Sequence, residues 1–495
     1  MTQVLSPQKY TYLFSSLIII FIVIFAAACI GILTRPLSYS AFFWPANGIL
    51  LGILIRYPRF RNFATFIGAT LGYIVADIFS GNTFVLTLSL TLINFIAVYG
   101  AYYFYRYFYQ RQIHIPNQNI ARASFPLMFS TIIASSFCAL AAVSILPYVP
   151  HTFMGHEQKL LNFLNWWSGE LLNFVMLVPI LISFPGFKKI YSKVLQSWKQ
   201  VWKIQDFYIF LPCIAVIISC VLTHYYFGPG ALFYPLATMM WAAAVYSLFN
   251  ISLITTFVCL TLYHSLSGIY LQSVDTNFVY PMISIRVRLI ILGITTLYIA
   301  VMNLHRRRIF NEIEHLAGHD SLTETLNRRR FIELAEQLLL RTKNYPLSIM
   351  MLDIDHFKKL NDQYGHTYGD LALQKFAQTV QSNLRMDDLF CRIGGEEFSI
   401  LLTQTNREEV AKIAERIRNS VEDLEIYTDK GLKIKITVSI GIKYCENLNQ
   451  AGLQSLLTAA DEALYVSKSH GRNQVNFFDE KMASTVLKSI ETAEL

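Results

Sequence analysis

Charge is scarce in this chain: of 495 residues, 54% are hydrophobic and only 15% are Asp, Glu, Lys or Arg. Cysteine is sparse as well. The seven cysteines stand at positions 29, 138, 213, 220, 259, 391 and 445, five of them inside apolar stretches. None makes a C-x-x-C pair, which excludes a zinc site of that type and a disulfide framework and leaves them as small core residues. The first apolar run, Tyr12 to Leu33, is long enough to span a bilayer and lacks a small-residue cleavage site, so it is not read as a removable leader. The net charge of +8 invites nucleic acid as a partner. Much of the Lys and Arg, however, sits in loops between apolar runs, as the positive-inside bias of membrane proteins requires. Nucleic acid is therefore not expected as a partner.

What the chain has is a lopsided plan. Nearly everything before Asn303 is apolar; nearly everything after it is charged and amphipathic. About ten stretches reach spanning length: 11–33, 39–56, 63–80, 84–105, 124–147, 160–184, 206–226, 230–248, 250–271 and 284–304. Basic residues follow the even-numbered ones: Arg56, Arg59 and Arg61; Arg106, Arg111 and Arg122; Lys188, Lys189, Lys193, Lys199 and Lys203; Arg306, Arg307 and Arg308. This places both termini in the cytoplasm. Asn47, Asp77 and Glu170 lie inside apolar stretches, and Arg286 and Arg288 open the last one. Such residues face either a partner or a wet cavity. Residues 304–319, with Leu304, Ile309, Ile313 and Leu316 near heptad spacing, continue the last span as a helical linker.

From Ser321 the pattern alternates between helix and strand. Helices are expected over Phe331–Arg341, Phe357–Tyr364, Asp370–Arg385, Arg407–Leu424 and Leu456–Ser469. Strands are expected over Leu347–Asp355, Ile434–Tyr444 and Val475–Phe478, with a hairpin around Gly394-Gly395. This order makes an α+β domain, a central sheet flanked by helices. Asp353 ends its strand, where sites gather in sheet proteins. If its strand neighbours the hairpin, it meets Glu396 and Glu397. Three carboxylates and a main-chain carbonyl, without a His/Cys cluster, favour Mg²⁺ or Mn²⁺ over zinc. Lys358, Lys468 and Arg472 supply charge for phosphates, and Asn361 and Asp370 suit a purine edge. A metal among acidic ligands and cations points to phosphoryl or nucleotidyl transfer.

Two resemblances follow from the motifs. Phe43-Trp-Pro-Ala-Asn-Gly48 and Trp167-Ser-Gly-Glu170, with Pro179 beyond, resemble the first type of bacterial membrane-associated sensor domain, the MASE group, over most of residues 11–304. Asn173 stands where a small residue is commoner. Asp320-Ser-Leu-Thr, Asp353-Ile-Asp-His-Phe-Lys358-x-x-Asn361-Asp362, Gly369-Asp370, Arg392-Ile-Gly-Gly-Glu-Glu-Phe398 and Ala460-Asp-x-Ala-Leu-Tyr465-x-x-Lys468-x-x-Gly-Arg472-Asn473 resemble the GGDEF family of diguanylate cyclases. Glu396 replaces the name-giving aspartate. The family joins two GTP into cyclic di-GMP and two pyrophosphates at a site shared by two facing protomers. The resemblance therefore implies a homodimer, and Mg²⁺ or Mn²⁺, two per GTP, held by Asp353, the Ile354 carbonyl, Glu396 and Glu397. Glu396 is implied as proton acceptor for the attacking 3′-hydroxyl and Lys358 as transition-state stabiliser. Lys468 and Arg472 would lie on the terminal phosphates. Asn361 and Asp370 would read guanine, with His366 beside them and Gly394 and Gly395 leaving room. Arg385 and Asp388, with Arg416 from a facing protomer, match the family's inhibitory product site.

The implied plan is a sensor at 1–303, a linker at 304–319, a cyclase at 320–480 and a tail at 481–495, multi-pass in the bacterial cytoplasmic membrane, lipid around it and an unidentified sensor ligand or partner protein. Three rivals remain at this point: a catalytically silent domain that only binds nucleotide, a transporter fused to a regulatory domain, and a polymerase or adenylyl cyclase sharing the same metal logic.

Overall fold

The computed structural model describes residues 7–34, 41, 43–112, 120–152, 154–199, 204–226, 230–231, 233–272, 279–341, 346–429, 431–446 and 452–479. The chain divides into two compact units, Met1–Arg308 and Ile309–Leu495.

The first unit is helical. Its elements are α1 (Pro7–Leu33), α2 (Pro45–Arg56), α3 (Phe63–Phe79), α4 (Phe84–Gln112), α5 (Ile120–Ile145), α6 (Lys159–Ser183), α7 (Phe187–Lys199), α8 (Leu211–Tyr225), α9 (Phe233–Val245), α10 (Leu248–Gln272) and α11 (Val279–Gly318). Each of the ten apolar stretches falls on a helix. Among the described residues, seven helices are long and apolar enough to cross a membrane; α2, α3 and α9 are apolar but shorter. Helix α2 is shorter than its expected span of 39–56: Pro45 occupies its first turn, and its 12 residues rise only about 18 Å. Helix α7 was not expected, since the stretch was read as a basic loop; its polar and apolar residues segregate to opposite faces instead of making an apolar run. Helix α11 is unbroken through residues 304–318.

Buried polar side chains tie the helices together. Asn47 on α2 donates to Asn94 on α4 at 3.0 Å and to Glu170 on α6 at 2.9 Å, and accepts from the Tyr73 hydroxyl on α3 at 2.7 Å. Asn173 accepts from the Trp44 backbone N–H at 3.2 Å. The motif residues of the two apolar segments therefore meet in space. Asp77 is buried too, accepting from Asn82 at 3.0 Å; Arg286 is buried while Arg288 is exposed.

The second unit is a six-stranded mixed sheet between helices. After β1 (Leu326–Asn327) come α12 (Arg328–Arg341), β2 (Leu347–Ile354), α13 (Phe357–Tyr364), α14 (His366–Ser382), β3 (Leu389–Gly394), β4 (Glu397–Thr403), α15 (Arg407–Glu422), β5 (Ile426–Tyr427), β6 (Lys433–Ile434), β7 (Val438–Cys445), α16 (Leu453–Ser469) and β8 (Val475–Phe477). The sheet order is β1-β3-β4-β2-β7-β8, and β5 and β6 form a separate ribbon. All eight residues of β2 are buried because both faces are covered. Met350, Leu352 and Ile354 join one core with α13, α14 and α15; Leu347, Ile349 and Met351 join the other with α12 and α16.

Two expected boundaries move furthest. The strand expected over Ile434–Tyr444 is cut in two, because Lys433–Ile434 pairs with β5 in a separate ribbon while Val438–Cys445 pairs with β2. Helix α14 begins at His366 rather than Asp370. Gly369 does not break it, since the space a side chain would need there is filled by Asn361, whose Oδ1 would lie 1.8 Å from an added Cβ.

Candidate active site

The period of two along β2 decides which way Asp353 points. It shares the face of Leu347, Ile349 and Met351, against α16. In register it lies opposite Glu397 on β4 and Ser439 on β7. Lys468, in the last turn of α16, reaches it: Nζ lies 2.7 Å from Asp353 Oδ2. Only 6% of Asp353 is exposed. Burial pushes its carboxyl up to about 6; Lys468 opposes this, while Glu396 and Glu397 add to it. More negative charge is gathered here than one lysine neutralises.

The hairpin turn between β3 and β4 carries Gly394, Gly395 and Glu396. A bulge lies between Arg392 and Gly394, and Gly395 has φ +53°, a conformation that favours glycine. A side chain on either glycine would meet nothing within 4 Å, so the turn opens onto free space. Its backbone is fixed from two sides. Ile354 N–H donates to the Glu396 carbonyl at 3.4 Å, and Arg392 Nε donates to the Gly395 carbonyl at 2.9 Å. The same guanidinium pairs with Asp320 at 3.1 Å. Burial alone would raise the Asp320 carboxyl, but hydrogen bonds from Thr323 and the Arg392 charge hold it below the usual range.

The nucleotide-reading candidates lie on α13 and α14. Asn361 packs on Gly369, which brings it beside Asp370, and its Oδ1 is buried with no hydrogen bond. His366, the first residue of α14, is exposed. Lys358 on α13 and Arg472 after α16 are exposed, and neither side chain makes a hydrogen bond or ion pair among the described residues.

Several placements differ from expectation. Lys468, expected on terminal phosphates, sits on Asp353. Among the described residues no three acidic, His or Cys side chains converge closely enough to hold a metal ion, so Asp353, Glu396 and Glu397 share the end of the sheet without forming a closed cage. Their chemistry nevertheless fits a hard divalent cation: oxygen donors only, with excess negative charge. Arg385 and Asp388 form one tight turn, in which the Asp388 carboxylate accepts from the Arg385 backbone N–H at 2.8 Å. Burial raises the Asp388 carboxyl. Arg416, read as a contact from a facing protomer, donates within its own chain to the Asn383 carbonyl at 2.6 Å, two residues before Arg385.

Asp355 had no role in the sequence reading. Its carboxylate accepts from Thr437 and Ser439 at 2.7 Å each and from the Asn473 N–H at 3.0 Å, tying β2, β7 and the turn after α16 together just beyond Asp353. Its place two residues past Asp353, on the same face of the strand line, was the available signal.

Residues 317–474 match the family described as "Diguanylate cyclase, GGDEF domain", and residues 15–308 match MASE1. The "Probable diguanylate cyclase DgcF" of Escherichia coli O157:H7 is 26% identical over 457 residues, covering 90% of this chain and 91% of that protein. The "Uncharacterized protein YhcK" of Bacillus subtilis (strain 168) is 38% identical over 193 residues; the match takes in 38% of this chain and 53% of the relative, so the chain spans about half that relative's length. Among solved structures, the coiled coil and GGDEF domain of DgcB from Caulobacter crescentus, in complex with c-di-GMP, is 28% identical, with a TM-score of 0.33 over 34% of this chain and 91% of that one. The chain belongs to the MASE1 family, and its C-terminal domain is a GGDEF domain of the diguanylate cyclases.

Proposed function

We propose that this chain is a membrane-bound diguanylate cyclase that condenses two GTP into cyclic di-GMP and two pyrophosphates, under control of its helical half. The observation that carries this reading is the pairing of Asp353 with Glu397 at adjacent strand ends, beside a double-glycine turn and in reach of Lys468. Mg²⁺ or Mn²⁺, two per GTP, would be held by Asp353, the Ile354 carbonyl, Glu396 and Glu397, and would supply charge stabilisation at the α-phosphate. Lys468, which pairs with Asp353 here, and Arg472 would contact the terminal phosphates. Lys358 stabilises the transition state. Glu396, at the tip of the turn, accepts the proton of the attacking 3′-hydroxyl. Asn361, whose buried Oδ1 has no hydrogen bond, and Asp370 read the guanine edge, with His366 alongside. Gly394 and Gly395 keep the approach clear.

One domain holds one GTP, so two protomers must face each other. The functional divisions are those read from the sequence: sensor 1–303, linker 304–319, cyclase 320–480 and tail 481–495. The cyclase lies in the cytoplasm of a bacterium, with both termini on that side of the inner membrane. Two contacts support this topology. Arg56, after the second apolar helix, donates to the Ile182 and Phe184 carbonyls at the end of the sixth span. Arg307, after the last span, donates to the Ala244 carbonyl at the end of the eighth.

The test is product analysis of the purified full-length protein with GTP and Mg²⁺. Cyclic di-GMP and pyrophosphate should appear in a 1:2 ratio, ATP should not replace GTP, and specific activity should rise with protein concentration. A silent protein, or a specific activity flat across dilution in a monomeric sample, defeats the reading.

A further inference from the structure

A cavity of about 70 Å³ lies inside the helical unit, lined by Trp44, Asp77, Asn94, Glu170, Asn173 and Arg286 among others. Two of these carry opposite charge and are nearly inaccessible: Glu170 is 6% exposed and Arg286 4%. They share the cavity wall, yet they make no ion pair with each other. Each is only partly satisfied. Glu170 uses Oε1 to accept from Asn47, and Oε2 makes no hydrogen bond. Arg286 donates from Nε to the Tyr263 hydroxyl at 2.6 Å and from Nη1 to Asn165 at 2.7 Å, while Nη2 donates to nothing. Gly169, beside Glu170, leaves the guanidinium its place, since an added Cβ would lie 3.3 Å from Nη1.

Separated buried charges are costly, and the cost falls when each meets an opposite charge with matching hydrogen bonds. Two groups of opposite charge type that line one cavity without pairing keep their unmet atoms for something placed between them. Arg286 Nη2 calls for a carboxylate; Glu170 Oε2 calls for an ammonium. Asn94 and Asn173 add amide groups to the same wall. The volume admits only a few non-hydrogen atoms.

We propose that this cavity binds a small zwitterion, an ammonium and a carboxylate on a short carbon frame as in a small α-amino acid, with the carboxylate on Arg286 and the ammonium on Glu170. This rests on the reading of the helical half as a sensor and supplies the chemistry of what it senses, but binding there does not depend on cyclase turnover.

The test is thermal unfolding of the full-length protein in lipid nanodiscs, with glycine, L-alanine and L-serine as probes. Methylamine and acetate, each carrying one of the two charges, are the controls. At saturation at least one zwitterion should raise the unfolding temperature by about 2–4 °C, through preferential binding to the native state. Neither methylamine nor acetate should do so. Glu170→Gln and Arg286→Gln should each weaken the response at least tenfold in concentration, while Arg288→Gln, on the exposed side of the same helix, should not. The proposal is overturned if no zwitterion shifts the transition, if methylamine or acetate shifts it as much, or if Arg288→Gln is as damaging as Arg286→Gln. The wild-type probe series alone decides the matter if a buried variant fails to fold. Because the readout is unfolding rather than product, an inactive cyclase would leave the result intact.

Discussion

The two halves of the chain both bury carboxylates, and they neutralise them differently. In the soluble half, Asp353 meets Lys468 at 2.7 Å and Asp355 is held by three hydrogen bonds from its own chain. In the helical half, Glu170 and Arg286 line one cavity without pairing. The soluble site stands at the end of a sheet, within reach of water, so it tolerates excess negative charge and relieves part of it with a partly exposed lysine. The helical site has no such relief, and its charges are set apart by the helices that carry them. A site with a partly exposed counter-charge suits repeated loading and release; a site with fixed, separated charges suits recognition of one ligand shape.

The comparison breaks most visibly at the soluble carboxylates. If their excess charge is there to hold a divalent cation, Glu397→Gln and Asp353→Asn should each lower GTP turnover by roughly 10²-fold or more, as removal of a charge-stabilising group does. Initial rates of cyclic di-GMP formation, at saturating Mg²⁺ and equal protein concentration, measure it. Rates within about threefold of wild type in both variants would remove the metal role and leave the carboxylates as parts of an ion-pair network.

The soluble half was far more legible in the sequence than the helical half, for physical reasons. Strands covered on both faces read as short apolar runs, and Leu347–Ile354 was located to within a residue because it ends in charge. That Asp353 meets Glu397 was legible only on the condition that their strands are neighbours, which they are. What stayed hidden were contacts that sequence spacing does not express: Lys468 lying on Asp353, Arg392 joining Asp320 to the hairpin, and Asp355 bridging two strands and a turn. In the helical half, apolar residues surround every span, so the pattern gave the helices but not their neighbours. Asn47, Asp77 and Glu170 were singled out by the cost of burying them, and the structure buries all three. That Asn47 holds Glu170, and that Arg286 faces the same cavity, depends on helix packing that no periodicity reports. Helix α7 was lost because amphipathic charge was counted as loop.

A second, smaller effect is expected at the turn ahead of the hairpin. Asp388 accepts from the backbone N–H of Arg385, so the turn does not depend on the Arg385 side chain, which is left to meet a ligand. Cyclic di-GMP bound there would clamp two domains in an unproductive arrangement. Arg385→Ala should then keep its initial rate, yet need at least about tenfold more added cyclic di-GMP for half inhibition, the size expected for one lost charge-assisted contact. Inhibition curves that superimpose for variant and wild type would place any brake elsewhere. Arg416 is a weaker candidate for the same role, because it already spends a donor on the Asn383 carbonyl.

The smallest effect concerns stability, and it sharpens the contrast most directly. Burial raises the Asp353 carboxyl from its ordinary 3.8 to about 6, despite Lys468. The folded protein therefore holds this proton more tightly than the unfolded chain does. The stability gained from this proton is fully present below about pH 4 and is lost as pH rises through about 6, where the carboxyl must stay buried in its ionised form. The shift alone corresponds to an upper limit of about 3 kcal/mol, and solvent screening at the partly open end of the sheet reduces it to about 1 kcal/mol. Asp353→Asn should accordingly stabilise residues 309–495 by about 1 kcal/mol at pH 7.5 in EDTA, with the gain fading as pH falls to about 4. Urea unfolding at several pH values measures it. Adding Mn²⁺ should reverse the order by stabilising the wild type and not the variant. A wild type that is the more stable at pH 7.5 without metal would mean that the Lys468 pair outweighs burial, and the soluble site would then be a satisfied ion pair with no excess charge for a cation to relieve.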